Sequence, residues 1–178
     1  DIFVVTKKPM FTSYNTSTEE FGSTNISFFK YKEDVDHVYL NVDAHAKVMI
    51  GECENCGIPS HGKLDGATWG DVLILGLGGL GVVPEYIKNQ KQPTSIDVIE
   101  EYQEIIDYVT WLHSSINVIR NDEWSYATLK KYDIIICDLW AEPEDVLDNH
   151  KTTLLNNYSG NLKTGGKLFI PLTGEILN

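Results

Sequence analysis

The segment DVLILGLGGLGVVPEYI, residues 71–87, places four glycines within six positions directly after an apolar run. Glycine weakens both helices and strands, so this density indicates a backbone that must bend sharply or approach another group closely. Gly76, Gly78 and Gly81 fit the pattern G-x-G-x-x-G. In that pattern one glycine permits a tight turn, one lets a ligand approach the backbone, and one lets the next helix pack against the strand. The segment therefore predicts a strand, a nucleotide-binding turn and a helix.

Five apolar runs follow one another along the second part of the chain, with helical patterns over residues 100–113 and 142–162. Strands that are apolar throughout and alternate with helices form parallel sheets covered on both faces. We therefore predict an α/β fold, a Rossmann-like doubly wound parallel sheet, over residues 67–178. The predicted strands are 72–77, 96–100, 116–119, 133–138 and 167–172, and Gly165 and Gly166 are expected to separate the second helix from the last strand.

The first part of the chain, residues 1–66, has a different sequence pattern. Short β-type runs are broken by polar turns, and the segment 11–25 is rich in Ser, Thr and Asn, which predicts a loop. We predict a small N-terminal antiparallel β region, with strands over 2–5, 26–31, 37–42 and 47–50.

Acidic residues follow three of the predicted parallel strands. Glu100 ends the second strand, 24 residues after Gly76, where a carboxylate can accept hydrogen bonds from both ribose hydroxyls of a nucleotide. Asp122 follows the third strand, where it suits an adenine amino group, and Asp138 follows the fourth. Because ligands of such sheets lie over the carboxyl ends of the strands, the three acids are expected to border one crevice.

Simpler interpretations stay open for these acids. Glu100 also suits a solvated position at the start of a helix, and Asp122 suits a cap of a helix that begins near Glu123. NAD and S-adenosylmethionine both fit the glycine turn. Three acids suit a sulfonium nucleoside better than a pyrophosphate, which needs neutral or positive surroundings.

Residues 71–172 resemble the core of class I S-adenosylmethionine-dependent methyltransferases, and within that superfamily the spermidine synthase-type aminopropyltransferases. The similarity lies in VLILGLGGLGVVPEYI, VIEEYQEII, NVIRNDEW and YDIIICDLWAEP. It departs from the family at Gly79, where an acid is usual, at Pro84, where a basic residue is usual, and at Glu101, where an apolar residue lies against the adenine. Ala141 stands where a second acid usually follows Asp138, although Glu142 is adjacent.

The resemblance implies a transferase that uses S-adenosylmethionine or decarboxylated S-adenosylmethionine, and aminopropyl transfer to a small amine is the leading expectation. Asp138 is then catalytic, holding and deprotonating the incoming amine, while Trp140 and Glu142 contact the substrate. The implied cofactor-binding residues are Gly76, Gly78, Gly81, Glu100 and Asp122. Trp140 equally suits plain packing at the sheet rim. Three alternatives stay open: a small-molecule methyltransferase, a non-catalytic binding or assembly protein of this fold, and a nicotinamide-dependent oxidoreductase.

The charge balance restricts the partners. Lys and Arg number 14 against 26 Asp and Glu, a formal net charge of −12. A nucleic-acid backbone needs concentrated Lys and Arg, so we expect a small-molecule substrate, such as a cationic amine, and neither nucleic acid nor membrane as partner. We also expect a sheet truncated after its fifth strand, and a homo-oligomer that covers the open edge.

The three cysteines do not point to a disulfide framework, so a reducing cytoplasm is the expected location. Cys53 and Cys56, with His45 and His61, have part of a zinc-ligand pattern. The second ligand pair lacks the usual spacing, and we predict free thiols and no metal site.

Overall fold

The computed structural model describes residues 21–22, 26–29, 37–42, 46–52, 64, 66–77, 81, 83–84, 87–88, 91–109, 114–140 and 143–178. Within these residues the chain forms one antiparallel sheet and one larger, mostly parallel sheet. No helix in these ranges combines the length and the apolar character that crossing a membrane would need.

The antiparallel sheet contains four strands in the order of the chain: β1 (Phe21–Gly22), β2 (Ile26–Phe29), β3 (His37–Val42) and β4 (Ala46–Glu52). Each strand pairs antiparallel with the next, which confirms the predicted antiparallel β region. The loop predicted over 11–25 is wrong at its end, because Phe21 pairs with Phe28. The strand predicted at residues 2–5 lies outside the described residues.

The second sheet has six strands in the order β10-β9-β8-β5-β6-β7. All neighbours are parallel except β9 and β10. Counted from β5, the parallel strands run 3-2-1-4-5, which confirms the predicted doubly wound sheet. The strands are β5 (Asp71–Leu75), β6 (Ser95–Glu100), β7 (Ile116–Arg120), β8 (Tyr132–Cys137), β9 (Leu162–Ile170) and β10 (Glu175–Ile176).

Helices cover both faces of this sheet. Alternate residues of each strand point to opposite faces, so β5 supplies Val72 and Ile74 to one core cluster and Leu73 and Leu75 to the other. The helix α1 (Gln103–Tyr108) contributes the buried Ile105 to the first cluster, and α2 (Asp148–Tyr158) contributes Leu154 and Tyr158 to the second. Both helices are shorter than predicted, and residues 143–145, at the predicted start of the second, form a separate 3-10 turn.

The two glycines expected before the last strand lie inside it instead. β9 runs from Leu162, and its pairing with β8 is irregular, since Asp133 alone lies opposite residues 163–166. Gly165 has a φ of +78°, and a Cβ on Gly166 would lie 3.0 Å from the Tyr132 carbonyl oxygen. The glycines therefore allow a bulge that keeps the strand continuous.

The sheet does not stop at its fifth parallel strand. β10 pairs antiparallel with β9, placing Glu175 opposite Ile170 and Ile176 opposite Phe169. The outer edge of β9 is thus paired at these residues, and the expected open edge is wrong there. Homo-oligomerisation stays a prediction that no contact in this structure tests.

A polar network lies toward the amino ends of the parallel strands. Asp97 on β6 is 7% exposed, and its carboxylate accepts hydrogen bonds from Asn117 Nδ2 at 2.9 Å, Lys130 Nζ at 2.8 Å and Tyr132 Oη at 3.0 Å. Burial alone would raise the pKa of Asp97, but these hydrogen bonds outweigh it and hold the pKa below its usual value.

Lys163 on β9 extends this network across the sheet. Its Nζ lies 2.7 Å from Asp71 Oδ2 and 2.8 Å from Asp133 Oδ2. Ser95 Oγ donates to Asp71 Oδ1 at 2.6 Å and accepts from Lys130 Nζ at 2.9 Å. Side chains from all the parallel strands are therefore joined at the edge opposite their carboxyl ends.

Replacing Asp97 with alanine is expected to lower the free energy of unfolding by about 2–4 kcal/mol at pH 7, because three donors lose their acceptor. Since folding lowers the pKa of Asp97, its contribution is present above the unfolded pKa of 3.8 and is lost as pH falls through the folded value. Urea denaturation at pH 7 and at pH 3 measures both parts of this expectation.

Asp145→Ala is the matched control, because Asp145 is an exposed acid in the 3-10 turn. It is expected to change the free energy of unfolding by no more than about 0.5 kcal/mol. Equal effects of the two substitutions at pH 7 would contradict the role given to Asp97.

Candidate functional site

The carboxyl ends of three neighbouring strands meet at one edge of the sheet. Gly76 follows β5, Glu100 ends β6 and Asp138 follows β8. The Gly76 N–H donates to the Ile99 carbonyl at 2.8 Å, and the Asp138 N–H donates to the Leu75 carbonyl at 2.9 Å. The chain leaves β5 toward β6 and β7 and later returns to β8 on the other side, so this edge is where the strand order reverses and where such sheets bind ligands.

Position 76 requires glycine because of its backbone conformation and its close neighbours. Its φ of +91° lies in the left-handed region, and a Cβ built on it would overlap the carbonyl oxygen of Asp138. Gly81 also has a positive φ, +82°, and is buried. The first glycine of the motif thus lets two strand ends approach each other. Gly78 lies outside the described residues.

The Glu100 carboxylate faces the glycine turn. Its Oε2 accepts a hydrogen bond from the Leu77 N–H at 3.0 Å, and its Oε1 accepts one from the Tyr102 N–H at 2.8 Å. The side chain is 3% exposed, and burial raises its pKa although both backbone N–H groups oppose that effect. Each carboxylate oxygen can accept two hydrogen bonds, so Glu100 keeps acceptor capacity beyond these two contacts.

Asp122 is exposed and shapes its own turn. Its Oδ1 accepts from the Trp124 N–H at 2.9 Å, and its Oδ2 accepts from Ser125 Oγ at 2.5 Å. Residues 123–125 form a turn, so the alternative that Asp122 caps a helix is wrong. Asp122 does accept a hydrogen bond from the backbone just after it, but that backbone belongs to the turn. Contact with an adenine amino group stays a prediction.

Glu123, the next residue, is the acid that sequence reasoning missed. It is 7% exposed, and its Oε1 accepts a hydrogen bond from the Glu101 N–H at 2.8 Å. Burial, with a smaller contribution from the Glu100 charge, raises its pKa to about 7. Two buried carboxyl groups, Glu100 and Glu123, therefore lie beside the same turn after β6.

Aromatic side chains lie on the α2 side of this edge. The Trp140 and His150 rings stack with centroids 5.9 Å apart, and Trp140 Nε1 lies 3.1 Å from His150 Nδ1. Trp124 meets Trp140 edge-on at 5.7 Å. Trp140 is half-buried against the second core cluster. Its neighbours Trp124 and His150 come from other elements, and no spacing in the sequence connects them. Glu142 lies outside the described residues.

No protein-family profile and no curated protein sequence matches the chain. Solved structures do resemble it. One is an S-adenosylmethionine-dependent methyltransferase from Clostridium acetobutylicum, 18% identical, with a TM-score of 0.49 over 61% of this chain and 46% of that chain. Another is the plantazolicin methyltransferase BpumL in complex with SAH, 23% identical, with a TM-score of 0.47 over 56% of this chain and 37% of that chain.

The glycopeptide N-methyltransferase MtfA is a third, 13% identical, with a TM-score of 0.49 over 61% of this chain and 49% of that chain. The chain spans less than half the length of each of these solved chains. Its own strand order and pairing establish the α/β, Rossmann-like fold class.

Gly76→Ala is expected to destabilise the protein by about 3 kcal/mol or more, because the new Cβ combines a strained φ with overlap against the Asp138 backbone. Gly165→Ala separates the two causes. Gly165 has a φ of +78° with no atom within 4 Å of its Cβ position, so only the conformational cost of about 1–2 kcal/mol applies. Thermal and urea denaturation measure the difference, and equal losses would remove the close approach as a cause.

Glu123→Gln is expected to stabilise the protein at pH 8 by up to about 3 kcal/mol and to leave it unchanged near pH 4.5. The folded pKa of about 7 exceeds the unfolded 4.5, so the Glu123 carboxyl holds a proton in the fold that it loses on unfolding. Wild-type stability therefore falls as pH rises from 4.5 through 7, whereas glutamine keeps the acceptor and does not titrate. Urea denaturation across pH 4.5–8.5 tests this, and parallel curves would refute it.

Proposed function

We propose that this chain binds S-adenosylmethionine at the carboxyl edge of its parallel sheet and transfers the methyl group to a small molecule. The observation that carries the proposal is the Glu100 carboxylate, buried at the end of the second parallel strand and hydrogen-bonded to Leu77 in the glycine turn. In doubly wound sheets this is where a carboxylate holds the ribose of an adenosine ligand.

The charge of the edge supports a sulfonium nucleoside over a dinucleotide. Glu100 and Glu123 are buried there, and Asp122 and Asp138 are on the same side of the sheet. A pyrophosphate beside these acids would meet repulsion, whereas a positively charged sulfonium would meet attraction. The nicotinamide alternative is therefore less well supported.

The residues present fit an adenosine ligand. Glu100 retains acceptor sites for ribose hydroxyls, because each oxygen uses one of its two in contacts with backbone N–H groups. Gly76 and Gly81 have no side chain and positive φ values, so at these two positions a ligand could approach the backbone closely. Asp122, which follows the neighbouring strand β7, is the acid proposed for the adenine amino group, and Gly78 completes the glycine motif in the sequence.

S-adenosylmethionine supplies an already activated methyl group, so the protein has to position the acceptor and take up its proton. Asp138 is the proposed group for both tasks, because it follows β8 directly and is fixed at its backbone by Leu75. Trp140, stacked on His150, would give the acceptor an apolar wall, and Glu142 would attract a cationic one.

Aminopropyl transfer from decarboxylated S-adenosylmethionine is the second candidate, and it depends on the resemblance of the four sequence segments alone. A polyamine carries several charges and needs several acids, yet Ala141 stands at the place of the second one. Methyl transfer to a small molecule does not require several acids in the acceptor pocket, and we prefer it for that reason. A domain over residues 67–178, a small-molecule partner, a cytoplasmic location and a homo-oligomer remain part of the proposal.

The proposal predicts that S-adenosylmethionine and S-adenosylhomocysteine raise the melting temperature, and that Glu100→Gln weakens their binding at least about tenfold, since a charge-assisted hydrogen bond contributes about 1.5–3 kcal/mol. Calorimetry with both nucleosides and with decarboxylated S-adenosylmethionine measures this. Asp107→Asn is the control and should bind as the wild type does, because Asp107 is an exposed acid of α1 that accepts a hydrogen bond from Gln103 Nε2 at 2.8 Å.

Mass spectrometry of the nucleoside product after incubation with small-molecule acceptors then separates the candidates. S-adenosylhomocysteine indicates methyl transfer, methylthioadenosine indicates aminopropyl transfer, and binding without either product indicates a non-catalytic binding protein. Absence of binding by all three nucleosides would overturn the proposal.

A further inference from the structure

Two carboxyl groups accept hydrogen bonds from consecutive backbone N–H groups of one turn. The Glu101 N–H donates to Glu123 Oε1, and the Tyr102 N–H donates to Glu100 Oε1, both at 2.8 Å. The two acids come from neighbouring strands, because Glu100 ends β6 and Glu123 follows β7. Both are buried, so each lies in the electric field of the other with little water to screen it.

The Glu123 backbone is fixed from the opposite face of the sheet. Tyr158 on α2 is fully buried, and its hydroxyl donates to the Glu123 carbonyl. Asn157 Nδ2 donates to the Trp124 carbonyl at 2.6 Å. The Glu123 backbone is held by these contacts, and its carboxyl group is held by the Glu101 N–H.

The other titratable groups around the pair are few among the described residues. Glu101 and Asp122 are exposed acids beside it, and Tyr158 faces it from α2. Arg120 is the nearby cation, but its Nε donates to the Glu101 carbonyl, at 3.3 Å, rather than to either buried carboxylate. In the described part of the chain, backbone N–H groups therefore hold the pair, and no lysine or arginine forms an ion pair with it.

We propose that Glu123 is a positioning residue that sets the placement and charge of Glu100, so that binding of an adenosine ligand is coupled to the protonation of this carboxyl pair. The inference rests on the proposed function. Glu123 accepts a hydrogen bond from the peptide that joins Glu100 to Glu101, and through that peptide it positions the carboxylate that would accept the ribose hydroxyls. In its neutral form Glu123 leaves the negative charge to Glu100.

The direction of the coupling follows from water exclusion. A ligand lying on Glu100 removes water from the pair, and loss of water favours the neutral form of Glu123 still more. Binding therefore retains or takes up a proton near neutral pH. By linkage, affinity then falls as pH rises through the range where Glu123 ionises.

The test is calorimetric titration of S-adenosylhomocysteine at pH 6.5, 7.5 and 8.5 into the wild type, Glu123→Gln and Asp107→Asn. The wild type and Asp107→Asn are expected to lose about three- to tenfold in affinity between pH 6.5 and 8.5, and Glu123→Gln less than about twofold. Carbon-13 NMR of the ligand-free protein should show a carboxyl group that ionises near pH 7 in the wild type and is missing from Glu123→Gln, an effect that packing alone would not produce.

The two proposals fail differently in this experiment. Binding that does not depend on pH in the wild type, or a pH dependence that persists in Glu123→Gln, overturns the coupling and leaves the proposed function standing. Absence of binding at every pH overturns the proposed function, and the coupling with it.

Discussion

The rest of the candidate site depends on one buried carboxylate. Glu100 accepts one hydrogen bond from the turn after β5 and one from the turn after β6, so a single side chain fixes the mutual position of both. Neither turn has a regular element to satisfy those N–H groups, and a buried unsatisfied N–H is costly. A neutral alkyl side chain at this position would remove the acceptor of both hydrogen bonds.

Most of the parallel sheet could be predicted from the sequence, because each parallel strand contains a run of apolar residues that is buried or half-buried in the sheet. The failures have local causes. Gly165 and Gly166 look like a break, yet a bulge in the pairing with β8 absorbs them within β9. β10 is two residues long, too short to show an alternating pattern in the sequence, and it is recognised only by its pairing with β9. Helix ends were overestimated, since apolar spacing does not mark where backbone hydrogen bonding stops.

Site residues could be predicted from the sequence where the end of a strand fixes the direction of the side chain. Residues farther from a strand end could not. Glu100 is the last residue of β6, so the strand itself aims its side chain toward the turn. Two residues past the end of β7 no such constraint remains, and the sequence gives no reason to bury Glu123 rather than Asp122. The Glu123 backbone is held by Tyr158, a residue far along the chain, whose hydroxyl donates to the Glu123 carbonyl. The Trp140–His150 contact likewise joins residues whose proximity depends on the packing of α2.

The contact between Gly76 and the Asp138 backbone has a mechanical consequence. There is no room for a Cβ between them, so Gly76 and the Asp138 backbone pack directly against each other. In the proposed reaction, the reach from the donor to the acceptor would then be set by main chain instead of by side-chain rotamers. Changes in the walls of the acceptor pocket could alter which molecule enters while leaving the geometry of transfer intact.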